Sequence, residues 1–156
     1  MAVLAHALAA IGREVFHKEV EPDKAATAAL FHDAPEIITG DMPTPIKYYN
    51  PDIKTAYKQV EAVAQDKLLS MLPPELVPAY APLVRESGEG VRRYVKAADK
   101  LAAYIKCVEE GKAGNTEFNK AAEQTLSALK ELEMEELDWF MERFLPAFGL
   151  TLDELQ

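Results

Sequence analysis

The sequence predicts an all-α protein, a helical bundle, and three observations support that fold class. Apolar residues recur three and four positions apart along most of the 156 residues, which is the spacing of one face of a helix. No stretch alternates apolar and polar residues over the length of a strand. Prolines and glycines separate the periodic stretches, as expected between helices. The length suits one domain, which we expect to span residues 1–156.

The first two helices are predicted on either side of a polar turn. One helix spans about residues 2–17, and the next begins at an N-cap formed by Asp23 and reaches about Ala34. Pro35 interrupts it, because the proline ring clashes with the carbonyl group four residues earlier and its nitrogen has no hydrogen to donate. We therefore expect the chain to kink or restart at Pro35.

A stiff loop and a long helix follow. Gly40 permits a positive φ and two prolines restrict the backbone within residues 39–45, which predicts a loop. Asn50 and Pro51 match an N-cap followed by the first helical position. They predict a helix that reaches about Leu72.

The rest of the chain is divided by residues 73–74, which are both proline, by the glycine-rich residues 87–90, and by Gly111. The apolar periodicity between these breaks predicts helices over residues 74–84, 91–110, 116–132 and 134–144. Thr151 and Glu154 have the spacing of a capping box. A run of acidic side chains predicts a solvated face; it comprises Glu131, Glu133, Glu135, Glu136 and Asp138.

Composition and charge limit the partners that this chain can bind. The chain is 49% apolar and 28% charged, so it can bury a sizeable core. Its net charge of −9 repels the phosphate backbone, which excludes long nucleic acid as a partner. No run approaches the roughly 20 apolar residues that cross a bilayer, so we expect no membrane partner. The single cysteine, Cys107, favours a reducing compartment, and we expect the cytoplasm.

The His32-Asp33 pair ends an alanine-rich helical stretch and is the first candidate for chemistry. Imidazole and carboxylate are both ligands of divalent metal ions. Neighbours in a helix point about 100° apart, so one ion can bind both side chains only near a helix end or a kink. Pro35 predicts such a kink. The alternative is a surface pair without metal.

Two further carboxylates, Glu36 and Asp99, are candidates for chemistry at a metal site. Glu36 follows His32 by four residues, which keeps both on one side if helical geometry resumes after Pro35. It can poise a water molecule beside a metal, or it can simply stabilise the first turn of a helix. Asp99 has small and apolar helical neighbours and would need a cation if buried; the alternative is a solvated aspartate paired with Lys96.

Two strings carry a resemblance to a known family. Residues 31–47 read FHDAPEIITGDMPTPIK, and residues 95–101 read VKAADKL. With supporting segments at residues 3–11, 109–118 and 140–150, they resemble the HD-domain phosphohydrolases, and more narrowly their bacterial 5′-deoxyribonucleotidases. The resemblance covers nearly the whole chain.

The resemblance implies an HD-domain helical bundle that releases phosphate from 5′-deoxyribonucleoside monophosphates. It implies one divalent ion, of Co, Mn, Fe, Zn or Ni, held by His32, Asp33 and Asp99, with Glu36 poising the attacking water. It also implies a homodimer. The substrate-binding positions that it implies are Asp33, Asp41, Met42, Pro43, Thr44 and Asp99.

The resemblance further implies a metal-binding histidine upstream of Met1, in a Glu-His-Ser context on the opening helix. We therefore expect an N-terminal helical segment to be missing from this chain. His6 lies roughly 13 Å along the helix from that position, at 1.5 Å per residue, and is not expected to replace it. Two alternatives stay open at this point: a catalytically inactive binding or dimerisation module, and a hydrolase of another nucleotide phosphate ester.

Overall fold

A computed structural model describes residues 1–42, 50–85 and 88–154, and every regular element in these ranges is a helix. The predicted all-α class is confirmed. The helices of the described ranges are α1 (Ala2–Glu14), α2 (Pro22–Phe31), α3 (Glu36–Thr39), α4 (Pro51–Ser70), α5 (Val77–Val84), α6 (Glu89–Lys112), α7 (Asn119–Lys130), α8 (Glu135–Arg143) and α9 (Leu145–Phe148), with 3-10 turns at Thr116–Phe118 and Leu152–Glu154.

The chain divides into two compact units. The first comprises Met1–Ala29 and Glu89–Gln156, and the second comprises Leu30–Gly88. The expectation of a single domain over residues 1–156 stays a prediction. None of the helices in the described part of the chain combines the length and the apolarity that a membrane crossing requires.

The core of the first unit forms around α6, the longest helix, which packs against α1 and α7, while α1 also packs against α8. Its buried face combines large side chains, such as Tyr94 and Leu101, with the small Ala97 and Ala98. The largest fully buried apolar side chains are Leu8, Leu101, Leu129, Met134 and Leu137. Each contributes about 1.5–3 kcal/mol relative to an exposed side chain.

The second unit carries the His-Asp doublet and has a small core. Helix α4 packs against α3 and α5, and Tyr57, Ala64, Leu69 and Val84 are buried. The predicted start of α4 is confirmed, because the Asn50 side chain accepts a hydrogen bond from the Ile53 N–H at 2.8 Å and proline occupies the first turn. This cap satisfies one of the free N–H groups at the start of the helix.

Several predicted helix ends were displaced by a few residues. Helix α1 ends at Glu14, because the chain turns at His17, whose φ is +54°. Helix α2 begins at Pro22, so Asp23 lies in its first turn and the prediction of an Asp23 N-cap was wrong. Proline suits this first position, since its missing N–H would have no partner there. At the C-terminal end, Thr151 donates from both its N–H and its hydroxyl to the Glu154 carboxylate, so half of the predicted capping box forms.

The prediction of a fully solvated acidic face was wrong at Glu136, which is completely buried. Its Oε1 accepts a hydrogen bond of 2.6 Å from the Tyr94 hydroxyl of α6 and lies 3.0 Å from the Lys18 Nζ, just beyond α1. Its Oε2 is buried and has no hydrogen-bond partner among the residues that the structure describes. This cluster of Glu136, Tyr94 and Lys18, the Glu136 cluster below, therefore joins α6, α8 and the segment after α1.

Gly12 of α1 makes room for the Glu136 cluster. A Cβ atom added at Gly12 would lie 2.6 Å from the Tyr94 hydroxyl and 3.0 Å from the Glu136 Oε1. A methyl group at this position must therefore displace the buried hydrogen bond. Gly12 is buried inside a regular helix, so the close approach explains the glycine, whereas the backbone conformation does not require one.

Substitution Gly12→Ala is expected to lower the free energy of unfolding by about 1–2 kcal/mol, because overpacking outweighs the better helix propensity of alanine. The matched control is Gly111→Ala in α6, where an added Cβ meets no atom of the described ranges within 4 Å. That control should raise stability by about 0.4–1 kcal/mol. Urea denaturation measures both, and equal stabilisation by the two substitutions would contradict the assigned role of Gly12.

Candidate metal centre

His32 and Asp33 lie in the turn between α2 and α3, where the sequence predicts a break. Helix α2 ends at Phe31, and the Ala34 N–H donates to the Phe31 carbonyl group at 3.0 Å to close the turn. Pro35 is buried and precedes the first residue of α3. The predicted restart of the chain at Pro35 is thus confirmed.

The turn brings the two side chains of the doublet together. His32 Nε2 lies 2.7 Å from Asp33 Oδ2, with side-chain exposures of 25% and 57%. Neighbouring side chains in the middle of a helix would diverge by about 100°. The helix end therefore brings a nitrogen and an oxygen donor into direct contact in the second unit.

Glu36 opens α3 in the same unit, and its N–H donates to the Asp33 carbonyl group at 2.9 Å. This bond places Glu36 one turn after the doublet. Its side chain is half-buried. A carboxylate at the start of α3 thus follows the two donor side chains closely along one short stretch of chain.

Asp41 and Met42 follow α3 after Gly40, whose φ of +70° favours glycine. The buried Tyr57 of α4 lies with its hydroxyl 3.5 Å from the Gly40 carbonyl oxygen, which places the end of α3 beside α4. Asp41 is exposed and Met42 is half-buried. Two other predicted substrate-binding residues, Pro43 and Thr44, lie outside the described residues.

Asp99 lies in the middle of α6 in the first unit, whereas His32, Asp33 and Glu36 belong to the second. Its carboxylate is on the exposed side of α6: Asp99, Lys96 and Ala103 are exposed, whereas Ala97 and Ala98 are buried. Of the two alternatives for Asp99, its exposure fits the solvated aspartate rather than a buried carboxylate. The periodicity of α6 turns its apolar stripe inward and Asp99 outward.

The histidines that were not expected to bind metal have other surroundings. His6 Nε2 lies 3.4 Å from Asp23 Oδ1 on α2, with both side chains largely exposed. His17 stands in the left-handed region just after α1. The contact with Asp23 gives His6 a structural role.

The doublet offers donor atoms of the types that divalent first-row metal ions bind, because imidazole nitrogen and carboxylate oxygen are both ligands of such ions. Two donors are fewer than the four of a tetrahedral site. Within either unit, the described residues contain no group of three His, Cys, Asp or Glu side chains that could hold a metal ion. A metal ion at the doublet would therefore need further donors.

The Glu136 cluster is a buried group of polar and charged side chains that we did not predict from the sequence. Glu136 precedes the buried Phe140 by four residues, which places both on the same helical face. This four-residue spacing is the feature of the sequence that could have indicated the burial of Glu136. Burial alone would raise the pKa of Glu136, but the hydrogen bonds from Tyr94 and Lys18 hold the pKa below its ordinary value.

A solved structure shares this fold. An HD-domain phosphohydrolase from Listeria innocua aligns with 94% of this chain and 72% of its own length, with a TM-score of 0.77 and 24% identity. The chain therefore has the helical fold of the HD-domain phosphohydrolases, which confirms that prediction.

Comparisons of the sequence identify a more specific family. A family described as 5′-deoxynucleotidase YfbR-like matches residues 1–148. A 5′-deoxynucleotidase from Erwinia tasmaniensis is 48% identical, and the 5′-deoxynucleotidase YfbR of Escherichia coli O1:K1 is 45% identical. Each alignment covers 99% of this chain and 79% of the relative. The chain belongs to the YfbR-like 5′-deoxynucleotidase family.

Proposed function

We propose that this protein hydrolyses 5′-deoxyribonucleoside monophosphates to the deoxynucleoside and inorganic phosphate. The observation that carries this proposal is the family match over residues 1–148, which includes the convergent His32-Asp33 doublet and Glu36. The alternatives of an inactive module and of a different phosphate ester lack such support, because the relatives are named 5′-deoxynucleotidases.

One divalent ion would be held by His32, Asp33 and Asp99. The doublet places a nitrogen and an oxygen donor side by side, which supports the first two ligands, and the family resemblance supports Asp99. When bound, the ion would offset the negative charge of the phosphate and lower the pKa of a water molecule. Co, Mn, Fe, Zn and Ni all accept mixed nitrogen and oxygen ligands. A local cation also explains how a chain with a net charge of −9 binds an anionic substrate.

Glu36 orients the attacking water and takes its proton. The water oxygen forms a bond to phosphorus, the bond between phosphorus and the 5′-oxygen breaks, and the departing oxygen gains a proton. A carboxylate can act as such a base when it stands within hydrogen-bond reach of the water. The position of Glu36 one turn after the doublet supports this role.

The exposed Asp41 accepts a hydrogen bond from a sugar hydroxyl of the substrate, since an ionised carboxylate is an acceptor. Its place just after α3, in the same short stretch as Glu36, supports this contact. The proposed substrate-binding residues are Asp33, Asp41, Met42, Pro43, Thr44 and Asp99.

The protein acts as a homodimer in the cytoplasm, without long nucleic acid or a membrane as a partner. The family resemblance supports the homodimer. The single cysteine, which is buried, supports a reducing compartment. The net charge of −9 opposes binding to nucleic acid.

Phosphate release from a panel of nucleoside monophosphates tests the substrate class. The panel pairs each 5′-deoxynucleotide with its ribonucleotide and its 3′-phosphate isomer, and adds a cyclic nucleotide and a guanosine polyphosphate, with and without added Co²⁺ or Mn²⁺. We expect metal-dependent release from the 5′-deoxynucleotides. Preferred cleavage of another ester would contradict the substrate class, and no release from any compound at any metal concentration would favour the inactive module.

Asp99→Ala tests the ligand set by a readout that is independent of turnover. We expect the metal content by elemental analysis, after loading and desalting, to fall to near zero. The matched control is Glu109→Ala, because Glu109 is an exposed carboxylate on the same helix. Unchanged metal content in Asp99→Ala would remove Asp99 from the ligand set.

A further inference from the structure

The outer face of α4 carries an apolar stripe. Val60 and Val63 are 50% and 69% exposed, and Ala56 is exposed as well. Their spacings of four and three residues place them on one face of the helix. The core of the second unit uses a different side of α4, through Tyr57 and Ala64. The stripe is thus a solvent-facing apolar surface.

Opposite charges stand at the two ends of this stripe. Asp52 precedes Ala56 by four residues, and Lys67 follows Val63 by four residues, so both continue the same face. Both side chains are exposed. Lys58, in contrast, lies on the opposite side of the helix. The stripe and its two end charges, residues 52, 56, 60, 63 and 67, form what we call the α4 face.

The α4 face is complementary to itself. A two-fold axis perpendicular to α4, between residues 59 and 60, places Asp52 of one copy opposite Lys67 of the other, and Ala56 opposite Val63. Each charge lies about 11 Å from that axis at 1.5 Å per residue. Two-fold contacts use the same patch on both copies, so each pair forms twice.

We infer that two copies of this chain associate through the α4 face, with the two helices antiparallel. The inference rests on the proposed homodimer and names the surface that forms it. The small Ala56 permits the interaxial distance of about 8–10 Å at which helices pack. The apolar centre is buried between two sets of paired opposite charges. A partner of different sequence would have no need for charges placed symmetrically about the point between residues 59 and 60, which favours a second copy as the occupant.

Charge reversal tests this surface. Asp52→Lys and Lys67→Glu each place like charges opposite one another twice in the dimer, which disfavours association. We expect each single variant to raise the dimer Kd about tenfold or more in sedimentation equilibrium at low salt, and the double variant to restore it. The matched control is Lys58→Glu, which makes the same charge change on the opposite side of α4 and should leave the Kd unchanged. Circular dichroism checks that the exposed substitutions preserve the helices.

A cross-link gives a second measurement. Val60→Cys places a thiol beside the axis, and we expect it to form an intermolecular disulfide on mild oxidation, whereas Lys58→Cys should not. The natural Cys107 is buried and is the reference for background. A dimer whose Kd is insensitive to both charge reversals would overturn the α4 face and leave the homodimer standing. A monomeric wild-type protein would overturn both, while the phosphate-release assay reports separately on the activity.

Discussion

Replacing Glu36 with alanine is expected to lower kcat for phosphate release by about 10²- to 10⁴-fold, the contribution of a positioned general base. The carboxylate opens α3 one turn after the doublet, so its removal leaves the His32 and Asp33 donors in place. The metal content should therefore stay at the wild-type level. Glu36→Gln should lose activity to a similar extent, because the amide retains the shape of the side chain and cannot accept the proton.

Two controls separate this effect from a general loss of structure. Glu75→Ala removes an exposed carboxylate from the same unit and should leave kcat unchanged. The thermal midpoint of Glu36→Ala should match that of the wild type, since the side chain is only half-buried. Turnover within threefold of the wild type would remove Glu36 from the mechanism.

The doublet could be predicted because its geometry is local. The kink depends on Pro35 alone, and a helix end at Phe31, four residues before that proline, follows from its missing N–H and its ring. The cap at Asn50 depends on contacts within one turn and was predicted for the same reason. Features that depend only on residues close together in the chain can be predicted from the sequence.

The environments of Asp99 and Glu136 could not be predicted from their own neighbourhoods. The residues around Asp99 left open whether it is buried or solvated; the structure shows it exposed, with the buried Ala97 and Ala98 on another side of α6. Glu136 stands among acidic residues that suggested solvent, yet its partners Tyr94 and Lys18 come from distant parts of the chain. Which of two helical faces turns inward is decided by the helices packed against it, and a single sequence does not show that packing.

Glu136→Ala is expected to lower the free energy of unfolding by about 3 kcal/mol. The change removes the acceptor of the Tyr94 hydroxyl, and a hydrogen bond to a charged group is worth about 1.5–3 kcal/mol. The lost packing of a fully buried side chain adds to that cost. The Lys18 ion pair adds less, because the Lys18 side chain is 34% exposed and water screens it. The matched control is Glu135→Ala, an exposed neighbour that also contacts Lys18, and it should change stability by less than about 0.5 kcal/mol.

A double-mutant cycle with Tyr94→Phe isolates the buried bond. Each single change should destabilise the protein, and the double variant should lose less than the sum of the two, because both remove the same interaction. Additive losses in urea denaturation would show that the two side chains act independently.

The Glu136 cluster should make the stability of the protein depend on pH, which packing alone does not do. The pKa of Glu136 is lower in the folded protein than its ordinary value of 4.5, so the folded state favours the ionised form. The stabilisation is therefore complete above that ordinary value and is lost as pH falls through the folded pKa. Glu136→Gln keeps the size of the side chain and removes this titration. We expect the stability gap between wild type and Glu136→Gln to be constant from pH 6 to 8 and to shrink progressively below about pH 4.5. A gap that widens on acidification would mean that burial, which raises the pKa, prevails over the hydrogen bonds from Tyr94 and Lys18.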